Sequence, residues 1–359
     1  MNAALDPGLI DIDVAIAHGC VCSVTIGSSR PLGVGRMLRG RSLDEAQGLV
    51  GRLFSLCGVS QAAAADLAAA AARGQPAALG AGRAIGLLAE RVSDLLRSSV
   101  LGGVALGVAI DARAAAALRE ALAAARLAMQ GQASRDGLQE LGDAAAALGV
   151  EPAHAGPRAG SLLAALASEI GRADRRGAPS PDALAPADDR AVVAALAEGR
   201  EAWAAHPALP GRVVETGCYA RCWQEIPAGI GAMAARFAAR LHDLAVSLGS
   251  MERIADGAPV PVDLGSSGSL GPGQGFSAVE SPRGRLYHLV RCDGEGRVVD
   301  YAILAPTEWN FHPAGPLVAD LLGAPIGDGA AATVHVERLA GLFDPCVASR
   351  VHVRELAHA

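Results

Sequence analysis

The chain has 359 residues, 51% of them hydrophobic, and a formal net charge of −6 at pH 7. A chain of this length and hydrophobicity can bury a large core, which argues against disorder along its length. Every basic residue is an arginine and the net charge is negative, so we expect neither nucleic acid nor a membrane surface as a partner. No basic residue precedes Arg30, and the longest apolar stretch, residues 101–110, is too short to span a bilayer. We therefore expect a cytoplasmic protein.

The first 60 residues carry two strand signals followed by the start of a helix. From Ile10 to Ile26 apolar residues tend to alternate with polar or small ones, and this period of two predicts two short strands. Ser42 is followed three positions later by Glu45, which is the pattern of a capping box at a helix start. We therefore predict a β/α segment over residues 1–60 that ends in a first cysteine motif.

Residues 61–250 are dominated by alanine, leucine, glutamate and arginine, a composition typical of helices. Clusters of glycine and proline near residues 74–82, 149–160 and 177–187 divide this region. We therefore predict that residues 61–250 form a helical core made of several helices.

Residues 251–359 mix signals for both kinds of secondary structure. A Pro/Gly-rich stretch, 257–275, predicts a long irregular connection, and residues 285–300 alternate around an Asp-Gly-Glu-Gly turn, which predicts a hairpin. We further predict a short helix near 316–322 and a strand near 333–337. The whole chain is then one domain of the α+β class, mainly helical, with a central helical bundle and small β elements near both termini.

Five motifs lie in order along the chain. They are Arg36-Met37-Leu38-Arg39-Gly40-Arg41 with Cys57-Gly58-Val59-Ser60, then Glu215-Thr216-Gly217-Cys218-Tyr219-Ala220-Arg221, Glu280-Ser281-Pro282-Arg283-Gly284, Pro306-Thr307-Glu308-Trp309-Asn310 and Asp344-Pro345-Cys346-Val347-Ala348-Ser349-Arg350-Val351-His352. Together they resemble the motifs of nickel–iron hydrogenase large subunits, namely Arg-x-Cys-Gly-x-Cys, Glu-x-Gly-Pro-Leu-Ala-Arg, Glu-Ala-Pro-Arg-Gly, Pro-Thr-Thr-Trp-Asn and Asp-Pro-Cys-x-x-Cys-x-x-His. The resemblance implies a large-subunit-like fold.

The chain departs from that family at the positions that hold nickel. In the enzymes two Cys-x-x-Cys pairs hold nickel with four thiolates, and the second cysteine of each pair also bridges to iron. Here both second cysteines are serines, Ser60 and Ser349. A neutral serine hydroxyl is a poor ligand for a soft, thiolate-preferring site, so we expect no nickel. Ser55 stands where the family has arginine, and Ala64 where it often has histidine.

This pattern resembles a group of hydrogenase maturation proteins related to the large subunit. The resemblance implies a non-catalytic scaffold that transiently holds the iron fragment Fe(CN)2(CO) and passes it to the immature large subunit. The implied partners are that subunit and the general maturation proteins that build and deliver the fragment. Two alternatives stay open: a metal-free chaperone that mimics the large subunit and acts only by protein binding, and a residual redox or hydrolytic enzyme.

The resemblance also assigns the candidate site. Ferrous iron with two cyanides, one carbonyl and two thiolates has a formal charge of −2, so its burial requires a cation. Cys57 and Cys346 are the remaining candidate thiolate ligands, and Arg283 is expected to donate to a cyanide nitrogen. Thr307 would place a hydroxyl near the other cyanide, and Pro282 would give the carbonyl an apolar wall.

Several of these residues have structural interpretations as well. Asp344 either places a carboxylate above the fragment or caps the turn into the next proline, and Arg283 is alternatively a structural arginine satisfied by backbone carbonyls. Cys57 and Cys346 are alternatively core cysteines. Cys218 and Cys222 lie four residues apart and so share one face of a helix, where they could hold a metal or form a redox pair. Our preferred interpretation is that both pack in the core. We expect His352 to be solvated.

Overall fold

A computed structural model describes residues 7–54, 56–75, 77–105, 107–151, 156–172 and 177–356 of the chain. The helices are α1 Leu43–Leu53, α2 Gly58–Ala72, α3 Ala81–Ala105, α4 Ala112–Met129, α5 Arg135–Leu148, α6 Leu162–Arg172, α7 Asp189–Ala205, α8 Cys218–Cys222, α9 Ala232–Ala255, α10 Thr307–Asn310, α11 Pro316–Leu321 and α12 Gly329–Leu342. The strands are β1 Leu9–Ala17, β2 Cys20–Ser28, β3 Asp182–Ala183, β4 Val214–Glu215, β5 Gly265–Gly271, β6 Gln274–Ser281, β7 Gly284–Cys292, β8 Val298–Leu304 and β9 Ala348–Glu355. The fold is α+β and mainly helical, as the sequence predicts.

A three-stranded sheet joins the two ends of the chain, in the order β2-β1-β9. β1 pairs antiparallel with β2 and parallel with β9, so Ile10 lies opposite Ser349 and Ile12 opposite Val351. Four isoleucine and valine side chains of β1 point into the main core and are almost fully buried. This pairing brings Cys346, which comes just before β9, back to the N-terminal part of the molecule.

The helical layer is built around α3 and α9, which pack against each other. α4 and α5 form a helical hairpin beside α3, and α6 lies against α9. Alanines line much of the buried surface of these helices, which lets their backbones approach closely. No helix in the described ranges is long and apolar enough to cross a membrane.

The second sheet is antiparallel, in the order β5-β6-β7-β8, and lies between α2 and α7. α2 crosses β6 so closely that a Cβ atom at Gly275 would lie 2.2 Å from the carbonyl oxygen of Ala68. Gly275 is therefore required for this contact, and the contact fixes the helix that begins just after Cys57 against the sheet that carries Arg283 between β6 and β7.

The structure confirms the two N-terminal strands, the capping box of Ser42 and Glu45, the hairpin formed by β7 and β8, and the short helix α11. The strand predicted near residues 333–337 is wrong, because these residues lie inside α12. Its buried residues, Ala332, Val336, Leu339 and Ala340, follow helical spacing.

The irregular connection predicted for residues 257–275 is wrong in part. Its second half forms the edge strand β5, whose backbone pairs with β6. A Cβ atom at Gly268 would lie 2.7 Å from the ring of Phe276, so glycine is needed where the two strands pack. β5 is therefore stabilised by close packing and backbone pairing. The hydrophobic pattern of the sequence does not predict either of these.

Candidate functional site

Cys57 and Cys346 line the same cavity, although they lie at opposite ends of the chain. The cavity has a volume of about 520 Å³, and we name it the two-cysteine cavity. Arg283, Thr307 and Gln61 also line it. Further lining comes from Leu53, Phe54, Leu56, Leu286, Pro306 and Val347. The structure thus brings together four of the six residues that the sequence assigned to the site.

Cys57 is the N-cap residue of α2 and is only partly exposed. Burial, followed by the nearby Glu90 carboxyl group and Cys346, raises the pKa of its thiol to about 12. The thiol is therefore protonated at neutral pH in the metal-free protein. A soft metal ion would have to displace that proton on binding, as is usual for cysteine ligands.

Ser60, which replaces the second cysteine of the first motif, is completely buried and hydrogen-bonded to Glu90. The Glu90 carboxylate also accepts hydrogen bonds from the backbone N–H groups of Val59 (2.7 Å) and Ser60 (2.9 Å). It thus satisfies free donors in the first turn of α2. Burial, opposed by these hydrogen bonds, raises the pKa of Glu90 to about 7. The Ser60 hydroxyl is held by a carboxylate and is not directed at a metal ligand position.

Ser349, which replaces the second cysteine of the last motif, lies on β9 opposite Ile10 and is exposed. It does not belong to the described residues that line the two-cysteine cavity. Both serines are therefore outside the described lining of the two-cysteine cavity. Of the positions discussed earlier, Ser55 lies outside the described residues, and Ala64 is buried.

Thr307, the first residue of α10, donates a hydrogen bond from Oγ1 to the sulfur of Cys346, at 3.2 Å. Its side chain is buried. A hydroxyl has one proton to donate, so Thr307 can serve either this sulfur or a diatomic ligand, but not both at once. In the structure that proton is directed at the sulfur.

Arg283 is buried between α3 and the segment that follows α12. Its Nη2 lies 2.8 Å from one carboxylate oxygen of Asp94, and its Nε lies 3.5 Å from Asp344. Burial disfavours the charged form, but Asp344 and Asp94 outweigh it and raise the pKa of Arg283. Nη1 has no hydrogen-bond partner among the described residues. Nε has no hydrogen-bond partner among these residues either, beyond its longer ion pair with Asp344. A buried guanidinium held by carboxylates, with donor groups unused, can bind an anionic ligand.

The motif at residues 215–221 supports the turn that carries Arg283. Arg221 donates to the backbone carbonyls of Pro282 (3.1 Å) and Ser281 (3.4 Å). Thr216 accepts from the backbone N–H of the residue after Gly284, at 2.9 Å. Gly284 has φ +128°, and a Cβ there would lie 2.3 Å from Thr216 Oγ1. The turn therefore needs this glycine as well as the arginine.

The fourth motif is tied to the same place. Asn310 on α10 exchanges two hydrogen bonds with the backbone of Thr216, accepting at 3.0 Å and donating at 2.9 Å. The motifs that are far apart in sequence are thus in direct contact. This contact explains why they occur together in one chain.

Pro282 and Asp344 are not among the described residues that line the two-cysteine cavity. Both line a separate small cavity of about 20 Å³, together with Cys218. Asp344, at φ +58°, forms ion pairs with Arg283 and with Arg240. The apolar wall expected of Pro282 stays a prediction, and Asp344 contacts the cavity lining through its ion pair with Arg283.

The lining of the two-cysteine cavity is positively charged. It contains Arg30, Arg52 and Arg283 and, among its described residues, no carboxylate. Arg30 pairs with Glu308, and both side chains are about nine-tenths buried.

Sequence reasoning missed Gln61, Glu90 and Asp94. Glu90 and Asp94 had a usable signal, since two acidic residues four positions apart within an apolar helix predict a buried polar contact.

The other candidates show no ligand geometry. Cys218 and Cys222 pack in a small apolar cluster with α9, and both are free thiols. Burial raises the pKa of both, which favours our core-packing interpretation. His352 is exposed on β9, as expected. Across the described parts of the chain, no group of three or more His, Cys, Asp or Glu side chains could hold a metal ion.

Comparison with solved structures and protein families defines the class of the fold. The reduced Ni-Fe-Se hydrogenase from D. vulgaris Hildenborough matches with a TM-score of 0.62 and 16% identity, over 92% of this chain and 94% of that chain. A model of the nickel-dependent hydrogenase family matches residues 264–352. The chain thus has the fold of a hydrogenase large subunit.

The relatives identify the particular family. Hydrogenase expression/formation protein HupK of Rhizobium leguminosarum bv. viciae is 40% identical over the full length of both chains. The protein of the same name from Bradyrhizobium diazoefficiens is 35% identical over 98% of each chain. This chain belongs to the family of hydrogenase expression/formation proteins.

Proposed function

We propose that this chain is a scaffold of hydrogenase maturation that holds an Fe(CN)2(CO) fragment in the two-cysteine cavity. It receives the fragment from the general maturation proteins and passes it to the immature large subunit. The names of its full-length relatives support a role in hydrogenase formation, and a non-catalytic accessory role is part of this proposal. The finer proposal, that iron is the cargo, depends on the site.

One observation carries this proposal: the buried cation and the two thiols meet at one cavity. Cys57 and Cys346 are the two cysteines in its described lining, and Arg283, which also lines it, has a nitrogen, Nη1, without a hydrogen-bond partner among the described residues. A fragment with a formal charge of −2 needs such a cation, because an uncompensated buried charge costs several kcal/mol. The guanidinium Nη1 is suited to a cyanide nitrogen, which accepts hydrogen bonds.

The carbonyl ligand requires an apolar surface, and Leu53, Phe54 and Leu286 supply one in the same cavity. The cavity therefore contains both a donor for cyanide and a wall that accepts carbonyl. Nickel is not expected beside the iron, because Ser60 is bound to Glu90 and Ser349 lies on an exposed strand. The site offers two thiolates where the enzymes use four.

A fragment that is to be transferred should be bound less firmly than in its final site. Two thiolates, one of them receiving a hydrogen bond from Thr307, donate less electron density to iron than bridging cysteines would. The thiol proton of Cys57 also competes with the metal. Both features favour release over permanent retention.

Infrared spectroscopy of protein purified anaerobically from cells with a working hydrogenase pathway tests the proposal. We expect cyanide and carbonyl bands in the wild type and their loss in Cys57→Ala and Cys346→Ala. Cys292→Ala, a partly buried cysteine outside the cavity lining, serves as the control and should keep the bands. Unchanged bands in both cavity variants would refute these ligands. Metal-free protein that still supports maturation would favour the chaperone that acts by protein binding alone.

A further inference from the structure

A chain of buried polar side chains leads away from Cys57 through the core between α2 and the second sheet. Gln61 Nε2 lies 3.7 Å from Cys57 Sγ, and Gln61 Oε1 lies 2.8 Å from His288 Nε2. His288 Nδ1 lies 2.8 Å from the hydroxyl of Tyr301. The three side chains are 1%, 0% and 3% exposed, so solvent does not compete for these hydrogen bonds.

The orientation of the Gln61 amide, with Nε2 toward Cys57, sets the direction of the other hydrogen bonds. With its amide nitrogen toward the sulfur, Gln61 presents its carbonyl oxygen to His288, and a carbonyl oxygen can only accept. Nε2 of His288 must therefore carry a hydrogen. Burial lowers the pKa of His288 to about 3, so the ring is neutral at physiological pH and its Nδ1 has no hydrogen. Nδ1 then accepts from the Tyr301 hydroxyl.

We propose that Gln61, His288 and Tyr301 are positioning residues for the iron fragment, which together hold an N–H donor against the sulfur of Cys57. Since the inference rests on the proposed function, it deepens the role of that site. A donor fixed on the sulfur stabilises the thiolate that binds metal and reduces the electron density it gives to iron. Each hydrogen bond in the chain polarises the next, so Tyr301 acts on Cys57 without touching it.

This network supplies Cys57 with the kind of donor that Thr307 supplies to Cys346. The two sulfurs on the cavity are therefore each paired with one neutral donor. The donors differ in how they are held, since Thr307 can turn about its side-chain bond while Gln61 is fixed by its second contact. The Gln61 donor is thus the one that stays on its sulfur when ligands enter the cavity.

A network that only fills the core would be equally buried, but its hydrogen bonds could run in either direction. The proposed role requires that Gln61 donates to Cys57 and that Nε2 of His288 carries the hydrogen. The side-chain nitrogens of His288 in metal-free, full-length protein report the direction in ¹⁵N NMR, with the signals assigned from a His288→Asn variant. We expect the neutral tautomer with hydrogen on Nε2 throughout pH 5.5–8. Hydrogen on Nδ1, or a charged ring in this range, would overturn the inference.

Tyr301→Phe removes the hydroxyl that donates to Nδ1 of His288. We expect the hydrogen to stay on Nε2 in this variant, because Gln61 Oε1 still accepts from it, while the ¹⁵N signal of Nδ1 moves because this nitrogen has lost its hydrogen bond. Tyr287→Phe is the matched control, since Tyr287 is equally buried and its hydroxyl donates to Asp189 (3.0 Å), outside the chain that leads to Cys57. An unmoved Nδ1 signal in Tyr301→Phe, or hydrogen on Nδ1, would contradict the proposed direction.

In protein that carries the iron fragment, Gln61→Leu and Tyr301→Phe should move the carbonyl band to lower wavenumber, because the sulfur donates more to iron. Tyr287→Phe should leave the band in place, and circular dichroism checks that each variant is folded. An unmoved band in folded Gln61→Leu would overturn the positioning role. If the wild type carries no such bands, the proposed function fails, whereas the tautomer measurement still decides the direction of the network.

Discussion

At the scale of single residues, the buried Glu90 carboxyl group makes stability depend on pH. Its pKa is raised to about 7 from an ordinary value of 4.5, so the native state holds this proton more tightly than the unfolded chain does. Between these two pH values the unfolded chain is ionised while the native group is still protonated. The free energy of unfolding should therefore fall as the pH rises from 4.5 to 7.

In Glu90→Gln this contribution is absent, so the free energy of unfolding should fall less between pH 4.5 and 7 than in the wild type. The difference should be up to about 3 kcal/mol, which is the value that corresponds to the shift in the pKa of Glu90. Urea denaturation at several pH values measures it as a flatter dependence in the variant. Glu120→Gln, at an exposed position on α4, is the control and should follow the wild type. Parallel curves for Glu90→Gln and the wild type would show that the group is ionised throughout.

A second prediction at this scale concerns Thr307. Replacement by valine keeps the shape but removes the donor to Cys346, whereas serine keeps the donor. We expect Thr307→Val to shift the carbonyl band to lower wavenumber and Thr307→Ser to leave it near that of the wild type. Infrared spectra of the two loaded variants measure this, and identical spectra would show that the hydroxyl does not act on the sulfur.

At the scale of elements, the turn between β6 and β7 depends on Gly284. A Cβ at this position meets Thr216 and the backbone of Gly217, and the φ of +128° strains any other residue. Gly284→Ala should therefore lower the free energy of unfolding by more than about 2 kcal/mol. Gly294→Ala, where a Cβ meets nothing within 4 Å, should change it by less than about 0.5 kcal/mol. Denaturation midpoints of the two variants test this contrast, and equal midpoints would contradict it.

Elements that are stabilised by local contacts were predictable from the sequence. The alternation in β1, the capping box at Ser42 and the turn between β7 and β8 each depend on residues close together in the chain. β5 was not predictable, because an edge strand of glycine and serine is held by its neighbour. The β-branched residues of α12 suggested a strand, but packing of its buried face decides in favour of a helix.

The residues of the candidate site were also predictable only in part. Motifs were enough to indicate Cys57, Cys346, Arg283 and Thr307 as neighbours. The motifs could not show that Asp344 forms an ion pair with Arg283 or that Gln61 donates a hydrogen bond to Cys57. These contacts depend on side-chain directions that are set by the whole fold.

At the scale of the whole molecule, the cavity connects the two ends of the chain. Cys57 starts α2, and Cys346 leads into β9, which pairs with β1. A metal bound by both sulfurs therefore stabilises the native state, since the unfolded chain cannot offer the same pair. We predict a higher melting temperature for loaded than for metal-free protein, by about 1 °C for each ~1 kcal/mol of binding free energy.

Scanning calorimetry of loaded and metal-free wild type measures this difference, and Cys57→Ala and Cys346→Ala should each abolish it. Amide hydrogen exchange adds a local measurement, because protection should rise in β1 and β9 together on loading. A rise confined to one end of the chain would show that only one sulfur is a ligand.

The Glu90 carboxyl group, buried against the first turn of α2, has a consequence for attempts to place a second thiol in the first cysteine motif. A Ser60→Cys substitution would place a thiol against the Glu90 carboxyl group in a buried position, where an ionised carboxylate would repel a thiolate. A thiolate ligand at this position therefore requires a replacement of Glu90 on α3 as well. The two positions are interdependent, so a single substitution does not supply a second thiolate.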